Sequence, residues 1–266
     1  MLAARIGTAA VLIAGLLAAL FLLPAPWLAV VIGVVVALAA YEWGKLCRFP
    51  RNAAFAYAAF AGACVAALAW SGSAAKAALV IGAAFWLAVA PIWLWRGVRP
   101  SHAPLLAAAG LAVLVPAGAA MTLLAPWQVL LALALTWVAD TAAYFTGRRF
   151  GRHKLAPTIS PGKTWEGAGG AVLGCAAYAI ICASFVPALK GLNGGGAWAA
   201  YAGAILILCA ASIVGDLFES AAKRQAAVKD SGSLLPGHGG ILDRIDSATS
   251  VLPLAAMLWP FAGMTP

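Results

Sequence analysis

The segment from Ser220 to Asp246 reads SAAKRQAAVKDSGSLLPGHGGILDRID and concentrates the groups that could do chemistry. It carries Lys223, Arg224, Lys229, Asp230, His238, Asp243, Arg244 and Asp246, in a chain that is 64% hydrophobic and only 9% charged. Asp216, Ser220 and Lys223 stand at i, i+4 and i+7, on one helical face. Asp243 and Asp246 stand at i and i+3, with Ser247 one residue on. The first helix is expected to continue out of the bilayer through Val228, after which Gly232, Pro236, Gly237, Gly239 and Gly240 break it. Two helices entering a membrane from a shared glycine-rich loop would bring Asp216 and Asp243 together at its surface. Carboxylate and hydroxyl oxygens without a His or Cys cluster suit a hard cation. Mg²⁺ in particular takes one or two carboxylates together with waters and substrate phosphates. Lys223, Arg224, Lys229 and Arg244 supply phosphate contacts. Gly239 and Gly240 let backbone N–H groups approach an anion closely, and His238, between Gly237 and Gly239, is read as an anion or substrate contact. The chemistry implied is metal-assisted phosphoryl transfer between anionic substrates beside a lipid surface.

A second polar stretch lies upstream, GRRFGRHKLAPTISPGKTWEGAGG. Its PGKT is not a Walker loop, because the first glycine of that pattern would fall on Pro157 and no strand is expected before it. What remains is a short loop bearing Ser160, Lys163, Thr164 and Glu166, suited to phosphate or headgroup contacts. Asp140 precedes this loop by a longer way. Eight helical residues separate it from Arg148, about 12 Å. At such depth a carboxylate costs about 2.5–3.5 kcal/mol on insertion scales, so Asp140 should face protein or a wet cavity.

These groups need elements to hold them, and composition says which. Soluble domains are roughly 45–50% apolar and about 25% charged. A mean hydropathy of +0.97 places this chain with membrane proteins. Runs of about 20 apolar residues predict helical spans near 7–23, 26–43, 53–71, 77–95, 104–124, 127–147, 168–187, 197–215 and 247–264. Strand-period alternation is missing, which argues against a β-barrel. The fold expected is therefore all-α, a polytopic integral membrane protein with about nine transmembrane helices. With nine spans, 15 of the 17 Lys and Arg fall on the side of the N-terminus, leaving Lys76 and Lys190 opposite. That asymmetry predicts a cytosolic N-terminus and an outside C-terminus. It also accounts for the +9 net charge, and no nucleic-acid polymer is expected as a partner.

The acids follow no such sorting. Seven of eight lie within 140–246, while Glu42 stands alone in the first half. The chain accordingly divides into residues 1–125, a scaffold with possible dimer contacts, and 126–266, a catalytic region with cytosolic loops 148–167 and 216–246. The five cysteines form no CxxC or ligand cluster and read as small core residues.

The string S-x-x-K-R-x4-K-D, a spacer, then P-G-H-G-G-x-x-D-R-x-D closely resembles the signature of phosphatidate cytidylyltransferases, also called CDP-diglyceride synthases. The upstream DTAAYFTGRRFGRHKL-P-ISPGKTWEG resembles that family's second motif. The two cover 140–247, and no motif position departs from the pattern. The resemblance implies that CTP and phosphatidic acid give CDP-diacylglycerol and pyrophosphate, at the cytosolic face of a bacterial inner membrane. It implies Asp216 and Asp243 as Mg²⁺ ligands, K⁺ sharing the site, and a homodimer. Asp216, Asp243, Lys223 and Asp246 are then the expected catalytic group. Ser160, Lys163, Thr164, Ser220, Arg224, Lys229, His238, Gly239, Gly240, Arg244 and Asp140 are expected to bind substrate. Asp140 and Asp246 are assigned the task of orienting Lys or Arg.

Two rival readings differ in kind. A CTP-dependent polyprenol or phytol kinase would release CDP instead of pyrophosphate, and the complete signature argues against it. A cation-coupled transporter would place its acids near the midplane on broken helices, whereas these gather toward one face.

Overall fold

The computed structural model describes residues 2–190, 192–235, 237 and 239–260, with side chains from residue 7 onward. His238 and the tail of the ninth expected span lie outside the described residues. Among the described residues, helices occupy all nine expected segments. They are α1 (Leu2–Leu22), α2 (Ala25–Leu46), α3 (Arg51–Leu68), α4 (Gly72–Ala84) running on into α5 (Ala90–Arg96), α6 (Ala103–Leu123), α7 (Pro126–Phe150), α8 (Trp165–Phe185), α9 (Gly194–Gln225) and α10 (Leu242–Leu258). Seven of these rods are long and apolar enough to cross a membrane. The exceptions are α1, whose apolar stretch Gly7–Leu22 is shorter, and α10, at 17 residues.

Local chemistry sets the boundaries. Proline occupies the opening turn of α2, α6 and α7, where its missing N–H costs no helical bond. Ser71 caps α4 and Thr164 caps α8, each side chain accepting from a backbone N–H of the first turn. Between α4 and α5 the helix widens over Phe85–Val89, where the Ala90 N–H reaches back five residues to the Phe85 carbonyl. Pro91 follows at once and has no N–H with which to restore the ordinary ladder.

Two features depart from the sequence-based expectation. The loop after α7 contains an antiparallel hairpin, β1 (Lys154–Ala156) with β2 (Ser160–Thr164), pairing Lys154 with Thr164 and Ala156 with Ser160. In addition, α9 stops at Gln225 and does not continue through Val228. There the chain turns through Ala227 at φ 61°, while Gln225 donates from Nε2 to the Leu46 carbonyl at 2.7 Å.

The core is organised around α10, which packs against α9, α6, α4, α7 and α2. Every residue from 247 to 255 of α10 is buried. Its tightest neighbour is α9. A Cβ on Gly215 would stand 2.6 Å from Ser250 Oγ and 2.9 Å from the Asp246 carbonyl oxygen, so only glycine allows this approach. Ser250 and Ser247 donate across the seam to the carbonyls of Ala211 (2.7 Å) and Ser212 (3.2 Å). Small residues and interhelical hydroxyl bonds are the means by which helices associate where lipid removes the hydrophobic drive. On the other side of α9, Phe218 is fully buried among the rings of Trp43, Phe85, Trp86 and Trp93, at centroid distances of 5.2–6.2 Å. Phe218 thereby fixes the rotation of α9 between Asp216 and Glu219.

Replacing Gly215 with Val should force α9 from α10. Overpacking of this kind costs about 1–3 kcal/mol. Thermal unfolding of the detergent-solubilised protein should register that loss, and catalysis should fall further than stability because Asp216 is the next residue.

Candidate active site

Three segments distant in sequence converge at one end of the bundle. The Arg224 Nε donates to the Ile159 carbonyl at 3.2 Å, tying the hairpin to the end of α9. Arg48 Nη2 donates to the Gln225 carbonyl at 3.4 Å, bringing in the α2–α3 turn. The loop 226–241 joins α9 to α10 over this end.

Within it, Lys223 bridges the two central helices. Its ammonium lies 2.7 Å from Glu219 Oε2, one turn back on α9, and 2.7 Å from Asp243 Oδ1, in the first turn of α10. All three side chains are largely buried, at 11%, 3% and 5% exposure, so the bridge is shielded from screening by salt. The second Asp243 oxygen accepts from Ser231 N (3.0 Å), Ser231 Oγ (3.0 Å) and Gly240 N (2.8 Å). Those donors stabilise the ionised carboxylate. Asp216 pairs with Lys163 of β2 at 2.5 Å and accepts from Ser220 Oγ at 3.3 Å. Asp140 lies within electrostatic reach of Asp216 and Lys163, and Asp246 within reach of Asp216, Glu219 and Asp140. Five carboxylates thus share one neighbourhood with two lysines.

The remaining expected residues are distributed as follows. Ser160 is half-buried at the start of β2. Thr164 is 6% exposed, and its hydroxyl accepts from Gly167 N at 3.1 Å as the cap of α8. Lys229 and Arg244 are exposed at the rim. Gly239 takes φ +80°, a backbone conformation strained for other residues, while Gly240 directs its N–H at Asp243.

One participant escaped the sequence reading. Glu42, on α2 and 4% exposed, accepts from Ser231 Oγ (2.9 Å), Ile241 N (3.2 Å) and Leu242 N (2.9 Å). It serves the free N–H groups at the start of α10, where a negative charge is favoured. Ser231 is shared between Glu42 and Asp243, so the helical half of the chain without motifs helps to hold the glycine-rich loop. A Cβ on Gly232 or Gly240 would collide with the Glu42 carboxylate, which explains glycine at both positions. The only sequence signal for Glu42 was its isolation among apolar residues.

The cation requirement can be tested against this arrangement. Glu219 Oε1 is buried without a hydrogen-bond donor among the described residues. With three carboxylates in excess of the lysines, a small divalent cation suits the donor set. Among the described residues no three His, Cys, Asp or Glu side chains are grouped so that they could hold a metal ion by themselves. A Mg²⁺ ion here would depend on waters and substrate phosphates for most of its shell.

This cluster sits where α9 and α10 pack together at one end of the apolar bundle. The model of the cytidylyltransferase family matches residues 3–261, and the chain belongs to that family. It is 39% identical over 278 residues to the phosphatidate cytidylyltransferase of Pseudomonas aeruginosa, with 97% of both chains covered. Over 134 residues it is 42% identical to the enzyme of that name from Thermotoga maritima, half of this chain and 48% of the relative. The Haemophilus influenzae phosphatidate cytidylyltransferase is 44% identical over 127 residues, 48% of this chain and 43% of the relative.

Glu42→Ala should strip the acceptor from three donors at the head of α10. A buried donor left unsatisfied costs about 1–3 kcal/mol. For a protein of this size each kcal/mol lowers Tm by about 2–4 °C. Differential scanning fluorimetry in detergent should show that fall, with Glu42→Gln losing less because one oxygen still accepts.

Proposed function

We propose that the protein transfers the cytidylyl group of CTP to phosphatidic acid, giving CDP-diacylglycerol and pyrophosphate for phospholipid synthesis. The observation that carries this reading is the Lys223 bridge between Glu219 and Asp243, set beside Asp216 and Lys163 at the glycine-rich end of the bundle. A near full-length relative of that name supports the same substrate pair. This end of the bundle faces the cytosol, a placement supported by the 15 of 17 cations assigned to that side. The catalytic assembly is a homodimer, as the family resemblance implies.

The chain's own groups divide the work. Lys163 and Lys223 hold positive charge where the phosphates converge. Arg224, Lys229 and Arg244 extend that field to the rim, Ser160 lies on the hairpin that approaches the nucleotide, and His238 is kept as a substrate contact on the family resemblance alone. Thr164 acts at one remove, by anchoring the hairpin that carries Lys163. The lysines are oriented by Asp216, Glu219 and Asp243. Asp140 acts on Lys163 through its field alone, and the expected orienting role of Asp246 finds no lysine partner among the described residues. An oxygen of the phosphatidate monoester forms a bond to the α-phosphorus of CTP, the bond to the bridging β-phosphate oxygen breaks, and pyrophosphate takes the electron pair. The attacking monoester is already largely ionised near neutral pH (second pKa about 6), so no strong general base is required. Neutralising charge on the transferred and leaving groups is the main task. Asp216 and Asp243 would hold Mg²⁺, and K⁺ would share the site, as the family resemblance implies. When bound, the metal supplies charge stabilisation and aligns the phosphates.

Purified protein given labelled CTP and phosphatidate should form CDP-diacylglycerol and pyrophosphate only when Mg²⁺ is present. Release of CDP with a phosphorylated lipid alcohol would instead identify a kinase. Asp216→Ala and Asp243→Ala should each abolish turnover while membrane insertion persists, and near-normal activity in either would refute its metal role. Lys76→Ala, on the opposite side, should leave activity unchanged.

A further inference from the structure

A cleft of about 660 Å³ opens beside the carboxylate cluster, between α2, α3 and the loop residues Gly232, Ser233 and Leu234. Its α2 wall is one helical face, Val34, Leu38, Tyr41 and Lys45, which extends about 16 Å at 1.5 Å per residue. Phe55 and Ala59 of α3 form the facing wall. The character changes along its length. Toward Val34 the lining is apolar, and Val34, Leu38 and Phe55 are exposed on the membrane-embedded bundle. Lys45 lines the cleft and lies over its Tyr41, and Arg51, just outside the lining, lies over its Phe55. Lys45 Nζ is 5.8 Å from the centre of Tyr41, the Arg51 guanidinium is 5.7 Å from that of Phe55, and the two rings are 4.7 Å apart. Neither cation has an ion-pair partner among the described residues. The one acid in the lining, Glu42, has its carboxylate already engaged by Ser231, Ile241 and Leu242. An apolar channel ending in two unpaired cations matches an amphiphile with a fatty chain and an anionic head.

The cleft also adjoins the chemistry. Gly232 follows Ser231 directly, and Ser231 holds the Asp243 carboxylate. The geometry points to this cleft as the entry seat for the lipid substrate. One acyl chain of phosphatidate lies along α2 and α3, and its phosphate rests between Lys45 and Arg51 before passing to the cluster. This inference rests on the proposed reaction and adds the route by which its lipid arrives.

The test uses the full chain in detergent with dioleoyl phosphatidate. Lys45→Ala/Arg51→Ala, and separately Leu38→Trp or Ala59→Trp to fill the channel, should raise KM for phosphatidate at least fivefold. The KM for CTP and kcat at saturating lipid should stay within twofold of wild type. A dihexanoyl phosphatidate, too short to use the channel, should be insensitive to the tryptophan variants. Native mass spectrometry without CTP supplies an independent reading. Wild type should retain dioleoyl phosphatidate over dioleoyl phosphatidylcholine, and the double cation variant should lose that preference. Unchanged phosphatidate KM in both sets of variants, or an equal shift in CTP KM, would overturn the seat. A wild type that retains phosphatidate selectively yet makes no CDP-diacylglycerol would overturn the reaction and leave the seat standing.

Discussion

A single buried ammonium, that of Lys223, holds the two functional helices in register. It lies between a carboxylate of its own helix and one in the first turn of α10, both nearly out of water. Removing either carboxylate would leave charge uncompensated, and breaking a buried pair in this way costs about 3–5 kcal/mol. The pairing is possible only because Gly215 lets the helices touch a little deeper along the seam. Below the contact, serines close it by donating to carbonyls; above it, Lys223 closes it by charge. Asp216 and Asp246 are carried into the same neighbourhood as a consequence. Their mutual repulsion is held in place by the packing of the two helices.

The catalytic region is not self-contained. Glu42 reaches from α2 to the glycine-rich loop and the head of α10, across about 190–200 residues of sequence. Trp43, its neighbour, packs on Phe218 and donates from Nε1 to the Leu106 carbonyl at 2.8 Å. The first helices therefore do more than pass through the bilayer: they fix the rotation of α9 and terminate the N–H row of α10. The division at residue 125 describes where motifs occur, while the packing runs across it.

Sequence made the helical segments legible because hydrocarbon imposes a length and a composition on any rod that crosses it. The acidic positions were legible for a related reason, since a carboxylate in such surroundings has few uses. The spacing of Asp216, Ser220 and Lys223 also sufficed to place them on one face, as the Ser220–Asp216 bond bears out. Other features lacked a local signal. The hairpin rests on a strand written SPGKT, whose proline and glycine disfavour strand pairing. The partners of Glu42 are backbone N–H groups and a serine, which leave no pattern in side-chain spacing. The engagement of Gly240 with Asp243, where a phosphate contact had been the expectation, depends on how the loop folds back on α10.

The position of α10 has a bearing on how the protein is made. It follows every other described helix in the chain, yet it packs against five of them. Chains emerge from the ribosome N-terminus first, so α2 enters the bilayer with the Glu42 carboxylate lacking the partners it will finally hold. The earlier helices must keep a slot open until the latecomer arrives and seals it. The core is therefore completed only after the helices that surround α10 have been made.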